Sequence, residues 1–223
     1  MEGTRHTSSQ YEMELQDIKD NLIYLGVLTE KAIASAMDAL LQRDTNQARK
    51  VIAADSEIDR LDMELEERCI RVLALRQPAA KDLRFITTAI KVNGHLERIG
   101  DMAVNIAEKA IILNAEPQLK PYIDLPRMAE IVRNMIRESL DSFVNEDLET
   151  AEKVALEEDE VDKLNEQIFR ELLTFMLEDT RTITRATIIM QISKNLERVA
   201  DHAKGVADMV IYLVTGKSVR HQY

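Results

Sequence analysis

The chemistry of this chain concentrates in acidic side chains four residues apart. Glu97 and Asp101 lie in NGHLERIGDMAVNIAE, residues 93–108, and Glu197 and Asp201 lie in its near copy SKNLERVADHAKGVAD, residues 193–208. Two further pairs, Asp55/Asp59 in DSEID and Glu158/Asp162 in EDEVD, echo one another in the same way. Positions four apart on a helix share a face, so each pair sets two carboxylates side by side. One such pair says little. Random placement of 40 acids among 223 residues gives about seven, most of them on solvated helix faces. Four pairs that recur in register need another account. Oxygen-only donors suit magnesium, manganese, calcium or iron better than structural zinc. Four carboxylates at one place also repel, which a cation or a raised proton affinity must offset. The residues leave the source of that cation open. It is either a bound metal or a side chain of the protein: Arg98 and Arg198 adjoin one motif, Arg60 and Lys163 the other.

The elements that position these acids are helices. Glycine and proline are scarce, at six and four, aromatics make up 4% of residues, and Ala, Leu, Ile, Met, Glu, Lys and Arg dominate. Apolar positions Leu15, Ile18, Leu22, Leu25, Leu28, Ile33, Met37, Leu40 and Leu41 recur at helical steps, predicting a first helix from Tyr11 to about Arg43. Asp44 or Thr45 is a candidate N-cap for a second helix reaching Arg76, with Val51, Ala54, Ile58, Leu61, Leu65, Val72 and Leu75 inward. Pro78 ends that helix and opens a third, about residues 79–113. Residues 114–126 hold three of the four prolines and read as a connector. Three more helices follow, over about 127–145, 148–178 and 181–215. Residues 1–10, where Ser8 or Ser9 would cap the first helix, and 216–223 are expected to be flexible ends.

The second half repeats the first. MDALLQRDTNQARKVI, from Met37, aligns with LDSFVNEDLETAEKVA, from Leu140, at an offset of 103, whereas the LER segments align at 100. The second copy is therefore three residues shorter near its turn. The expected fold is all-α: two tandem three-helix bundles, residues 11–113 and 127–215, built from six long antiparallel helices by internal duplication. In an antiparallel hairpin, residues equidistant from the turn sit at one height. The pairs at 55/59 and 97/101 are centred about Pro78, and those at 158/162 and 197/201 about residues 179–180. Each hairpin thus gathers four carboxylates beside its apolar seam.

Other residues attract plainer readings. His95 and His202 have no histidine counterparts in the other repeat and are expected at the surface or behind the acids. Gly100, whose counterpart is Ala200, marks close helix packing, and Cys69 is a buried, inert thiol. A net charge of −11 argues against nucleic acid, which needs a basic face. A polar N-terminus, the lone cysteine and the lack of any apolar run near the ~18 residues that span a bilayer point to a cytoplasmic protein.

LERIGDMAVNIAE and LERVADHAKGVAD, with the flanking DSEID, EDEVD and ALRQPAAKDLR, resemble the signature of the PhoU family over roughly residues 11–216. The resemblance implies two three-helix bundles and a role beside the phosphate ABC transporter, its ATPase and permease components, and a membrane sensor histidine kinase. In that role family members restrain phosphate uptake and keep the phosphate-starvation response off. It also implies a cytoplasmic homodimer in peripheral contact with the membrane complex, with no catalytic activity. Some members bind metal through the motif. Carried over, the ligands of iron, manganese, magnesium or zinc would be Asp55, Asp59, Glu97, Asp101, Glu158, Asp162, Glu197 and Asp201, with Gly205 against Asn105 hinting that the two sites differ. Two other readings compete. A carboxylate-bridged di-metal oxidoreductase would use Glu-x-x-His motifs, absent at the repeated sites. A metal-free helical scaffold would need only internal ion pairs.

Overall fold

The computed structural model describes residues 3–78 and 80–217, with the side chains of residues 3–8 left out. Six α-helices follow one another: α1 Gly3–Leu41, α2 Thr45–Arg76, α3 Ala80–Asn114, α4 Asp124–Asn145, α5 Leu148–Glu178 and α6 Ile183–Thr215, the last preceded by a 3-10 turn, Thr180–Thr182. Helices α1, α2 and α3 pack together as one bundle, and α4, α5 and α6 as the other.

The turns copy one another as the sequence does. Asp44 accepts hydrogen bonds from the backbone N–H groups of Asn46 and Gln47 at 2.9 and 3.0 Å, and Asp147 from those of Glu149 and Thr150 at 3.0 and 3.3 Å. Such caps satisfy amides that have no partner within the helix. The residues before them, Arg43 and Glu146, both adopt left-handed backbone, with φ of 57° and 53°. The α2–α3 turn uses left-handed Gln77 and Ala80, whereas the α5–α6 turn passes through extended Asp179 into the 3-10 turn.

Several expectations fail at the helix ends. The first helix starts at Gly3, so its backbone runs through Ser8 and Ser9 rather than starting at either. The fourth begins three residues early, with Pro126 in its first turn, where a missing N–H costs nothing. Gly216 closes α6 with φ of 72°; residues 218–223, expected to be loose, lie outside the described residues. Leu75, expected inward, is 72% exposed, and Ala54 and Leu41 also face outward. Leu75 is the second-last residue of α2, beside the turn into α3, and Leu41 is the last residue of α1.

The bundles do not sit end to end as separate beads. Helix α3 packs along α6, and α1 against α4. Phe85 stacks on Phe143 with ring centroids 5.6 Å apart, and Glu30 of α1 receives Arg133 and Arg137 of α4 at 2.8 and 3.4 Å. Two glycines make room at the crossings. A Cβ on Gly26 would collide with Leu140, and one on Gly205 would lie 2.8 Å from both ring nitrogens of His95. The connector is pinned by Arg43, which donates to the carbonyls of Asn114 and Glu116 at 2.9 and 2.5 Å, and by Arg185, which donates to that of Pro117 at 2.8 Å. No described helix is long and apolar enough to cross a membrane.

Candidate functional site

Each hairpin is held at acid height by a buried polar tie. Asn93 of α3 donates to the backbone and side-chain oxygens of Asp62 on α2, at 2.9 and 2.6 Å. At the equivalent place Ser193 of α6 donates to Asn165 of α5 at 2.6 Å. These ties fix the register that sets the carboxylates of the two helices level.

In the first cluster, loss of water pushes Asp55 up to about 6, helped by the charges of Asp59 on its own helix and Asp101 across the hairpin. Glu97 is raised chiefly by burial and then by Asp101, against the opposing pull of Arg98, with Asp62 and Asp59 adding to the rise. Asp55, Asp59, Glu97 and Asp101 therefore share one electrostatic environment. Gly100 lets the helices close here: a Cβ on it would stand 3.1 Å from Ile58 and 3.4 Å from the Asp55 carboxylate. Arg98, 61% exposed, reaches Glu97 at 3.4 Å and Asp101 at 3.2 Å, both on its own helix. Among the described residues no cation pairs with Asp55 or Asp59. A groove of about 320 Å³ between α1, α2 and α3 ends on Asp55, Ile58 and Gly100.

In the second cluster, loss of water and a hydrogen bond shared with Glu158 push Asp201 up to about 7, with the charges of Glu197 and Glu158 adding to it. Asp162 is raised by burial, then by Glu158 and Glu197, against Lys194. All four acids again interact across the hairpin. Here, however, Lys204 of α6 pairs with Glu158 of α5, and Lys194 reaches Glu197 at 2.5 Å. The other oxygen of Glu197, Oε2, is buried with no hydrogen-bond partner.

Expectation and structure agree on level and grouping, four acids to a hairpin. The donors are hard oxygens and suit a hard cation. As placed, however, no group of three or more histidine, cysteine, aspartate or glutamate side chains among the described residues converges tightly enough to hold a metal ion. The acids face a common space without forming a finished coordination shell.

Sequence reasoning did not bring the two histidines together. His95 and His202 meet across the α3–α6 seam, with Nδ1 atoms 3.1 Å apart and ring centroids at 5.4 Å. Loss of water, followed by Arg98 and Arg198, lowers the His202 pKa, which favours the neutral ring that such a contact needs. Gly205 replaces Asn105 because the His95 ring occupies the space a side chain would fill. Cys69 is buried as expected, its thiol pushed up to about 12 by loss of water.

A family model described as the PhoU domain matches residues 22–110 and again 125–210. The chain belongs to the PhoU family. It is 45% identical over 210 residues, 94% of this chain and 95% of the relative, to the phosphate-specific transport system accessory protein PhoU homolog of Aquifex aeolicus. To the homolog of the same description from Pseudomonas aeruginosa it is 40% identical over 219 residues, 98% of this chain and 90% of the relative. The crystal structure of PhoU from Pseudomonas aeruginosa superposes with a TM-score of 0.90 at 38% identity, covering 93% of this chain and all of that one. The phosphate transport system regulatory protein PhoU from Streptococcus pneumoniae does so at 0.87 and 26% identity, covering 94% and 99%. The two matched PhoU segments coincide with the two bundles, one carboxylate cluster in each.

Proposed function

We propose that this chain is a cytoplasmic, non-enzymatic regulator of phosphate uptake. In this reading it is an adaptor between the phosphate ABC transporter and a membrane sensor histidine kinase, acting to restrain uptake and silence the starvation response. The observation that carries the reading is the near full-length likeness to accessory proteins of the phosphate-specific transport system.

The carboxylate clusters would serve regulation by binding a cation, iron, manganese, magnesium or zinc. Asp55, Asp59, Glu97 and Asp101 would hold it in the first bundle, and Glu158, Asp162, Glu197 and Asp201 are the equivalent set in the second. A cation there supplies charge that lets the acids stay ionised side by side. It thereby ties α2 to α3, since a ligand bound only by the folded state stabilises it. A homodimer in peripheral contact with the membrane complex completes the reading.

Two experiments bear on it. In cells on abundant phosphate, a tagged chain is expected to recover the transporter's ATPase or permease together with the kinase, and deletion to raise uptake and switch on starvation genes. Recovery of neither partner, with no change on deletion, overturns the adaptor role. Metal analysis of protein purified without chelator tests the clusters separately.

A further inference from the structure

We infer that the second cluster is a latent cation site held shut by Lys204, so that cation binding by this chain is one-sided and belongs to the first bundle. The inference rests on the cation reading of the first cluster and goes beyond it by separating the two halves.

Aligning the repeats column by column isolates the difference. All four acids are matched, but Lys204 stands where the first repeat has Val104, and Lys194 where it has Gly94. Both lysines point at acids. The Lys204 ammonium pairs with Glu158 across the hairpin, so it links α6 to α5, which is the mechanical task a metal would perform. Its side chain is 29% exposed and that of Glu158 15%, so water screens the pair less than it screens an open surface pair. Lys204 also lies in the field of Asp201 and Asp208. Lys194 takes one oxygen of Glu197 at 2.5 Å.

Among the described residues the first cluster shows no ion pair across its hairpin. The cation paired with its acids is Arg98, which is mostly in water and touches only acids of its own helix, while Lys31 and Lys50 line the adjoining groove without an ion pair to these acids. Val104 offers no charge, and the space beside Gly94 is empty, with no heavy atom within 4 Å of where its Cβ would be.

The second cluster keeps one mark of a site. Oε2 of Glu197 is buried, its carboxylate only 13% exposed, and nothing donates to it. An incoming ion would find that oxygen ready but would meet two ammonium groups and a Glu158 already engaged. Displacing Lys204 means separating a half-buried ion pair while adding positive charge beside it, so a divalent ion is disfavoured. Removing the ammonium while keeping the stem removes the obstacle and leaves Glu197, Glu158 and Asp201 in place.

The test is Mn²⁺ binding to the full chain, followed by the loss of the free-ion electron paramagnetic resonance signal and by calorimetry. Wild type is expected to bind in the first bundle alone, with binding abolished by Glu97→Gln and unchanged by Glu197→Gln. Lys204→Met is expected to add a second class of sites, tightened by about 100-fold over the wild-type second half. That gain is expected to vanish when Glu197→Gln is added. The reciprocal change, Val104→Lys, is expected to weaken the first site by a similar factor, and unaltered helical circular dichroism and thermal transitions would show each variant to be folded. Filling of both halves of wild type with affinities within about tenfold, or no gain in Lys204→Met, overturns the inference and leaves the cation reading standing. No binding by wild type or any variant overturns both.

Discussion

The two hairpins present the same four acids on the same scaffold and resolve their repulsion differently. Around Glu158, Asp162, Glu197 and Asp201, two lysines supply positive charge from within. Around Asp55, Asp59, Glu97 and Asp101, one exposed arginine lies along a single helix, and the acids that face it across the hairpin go without. After duplication, one copy thus carries its own counter-charge and the other depends on solvent or a ligand. Identical ligand-bearing motifs are therefore not identical sites. What decides is the residue one turn away, Val104 against Lys204.

The sharpest way to break this comparison is to neutralise acids one hairpin at a time. Mn²⁺ at about 100 times its Kd adds about 2.7 kcal/mol of stability, or roughly 5–10 °C in Tm for a chain of this size. Glu97→Gln with Asp101→Asn is expected to erase that gain in a thermal melt. Glu197→Gln with Asp201→Asn is expected to preserve it. Equal loss in both would mean the lysines do not distinguish the halves.

A second contrast concerns the seam. Restoring the first repeat's residue at the second copy, Gly205→Asn, drives a side chain into the His95 ring, and overpacking of this kind costs about 1–3 kcal/mol. Asn105→Gly removes a side chain that donates to the Asp101 carbonyl of its own helix, and is expected to cost about 0.3 kcal/mol through helix propensity. Urea midpoints of both variants check the asymmetry.

Acidity separates the halves as well. Asp55 and Asp201 bind protons more tightly folded than unfolded, so each stabilises the cation-free protein at low pH and loses that contribution as pH rises through its folded value. Stability in chelator is expected to decline from about pH 4 to 6 on account of Asp55 and on to about 7 on account of Asp201. Asp55→Asn should flatten the lower part of that profile and Asp201→Asn should trim its upper end. Adding Mn²⁺ should lift the profile above pH 6. A profile that rises steadily through this range would contradict the crowding of the acids.

Much of this architecture could be read from the residues because it follows from local rules. The bounds of α5, the cap at Asp44, and the common height of the acid pairs all come from periodicity, capping chemistry and equal distances from a turn. What escaped depends on contacts between segments far apart in the chain. His95 and His202 are 107 residues apart and meet only because α3 lies along α6. The 72% exposure of Leu75 shows only in the packed bundle. The lysines were visible as substitutions between repeats, but a charge change in one column gains meaning only once the side chain is seen to cross the hairpin.

The smallest expected effect gives the finest test of the comparison. Gly94 lies mid-helix with open space at its missing Cβ and is exposed to solvent, so it costs helix stability without aiding packing. Gly94→Ala is expected to add about 0.5–1 kcal/mol, or roughly 1–4 °C in Tm, and to leave Mn²⁺ affinity unchanged. Gly94→Lys keeps most of the helix gain and recreates Lys194, which reaches the acid three residues on at 2.5 Å. If counter-charge is what separates the hairpins, the lysine variant must stabilise the metal-free protein and weaken Mn²⁺ binding, while alanine does only the first. Equal behaviour of the two would reduce the role of Lys194 to helix propensity and leave Lys204 as the sole source of the difference.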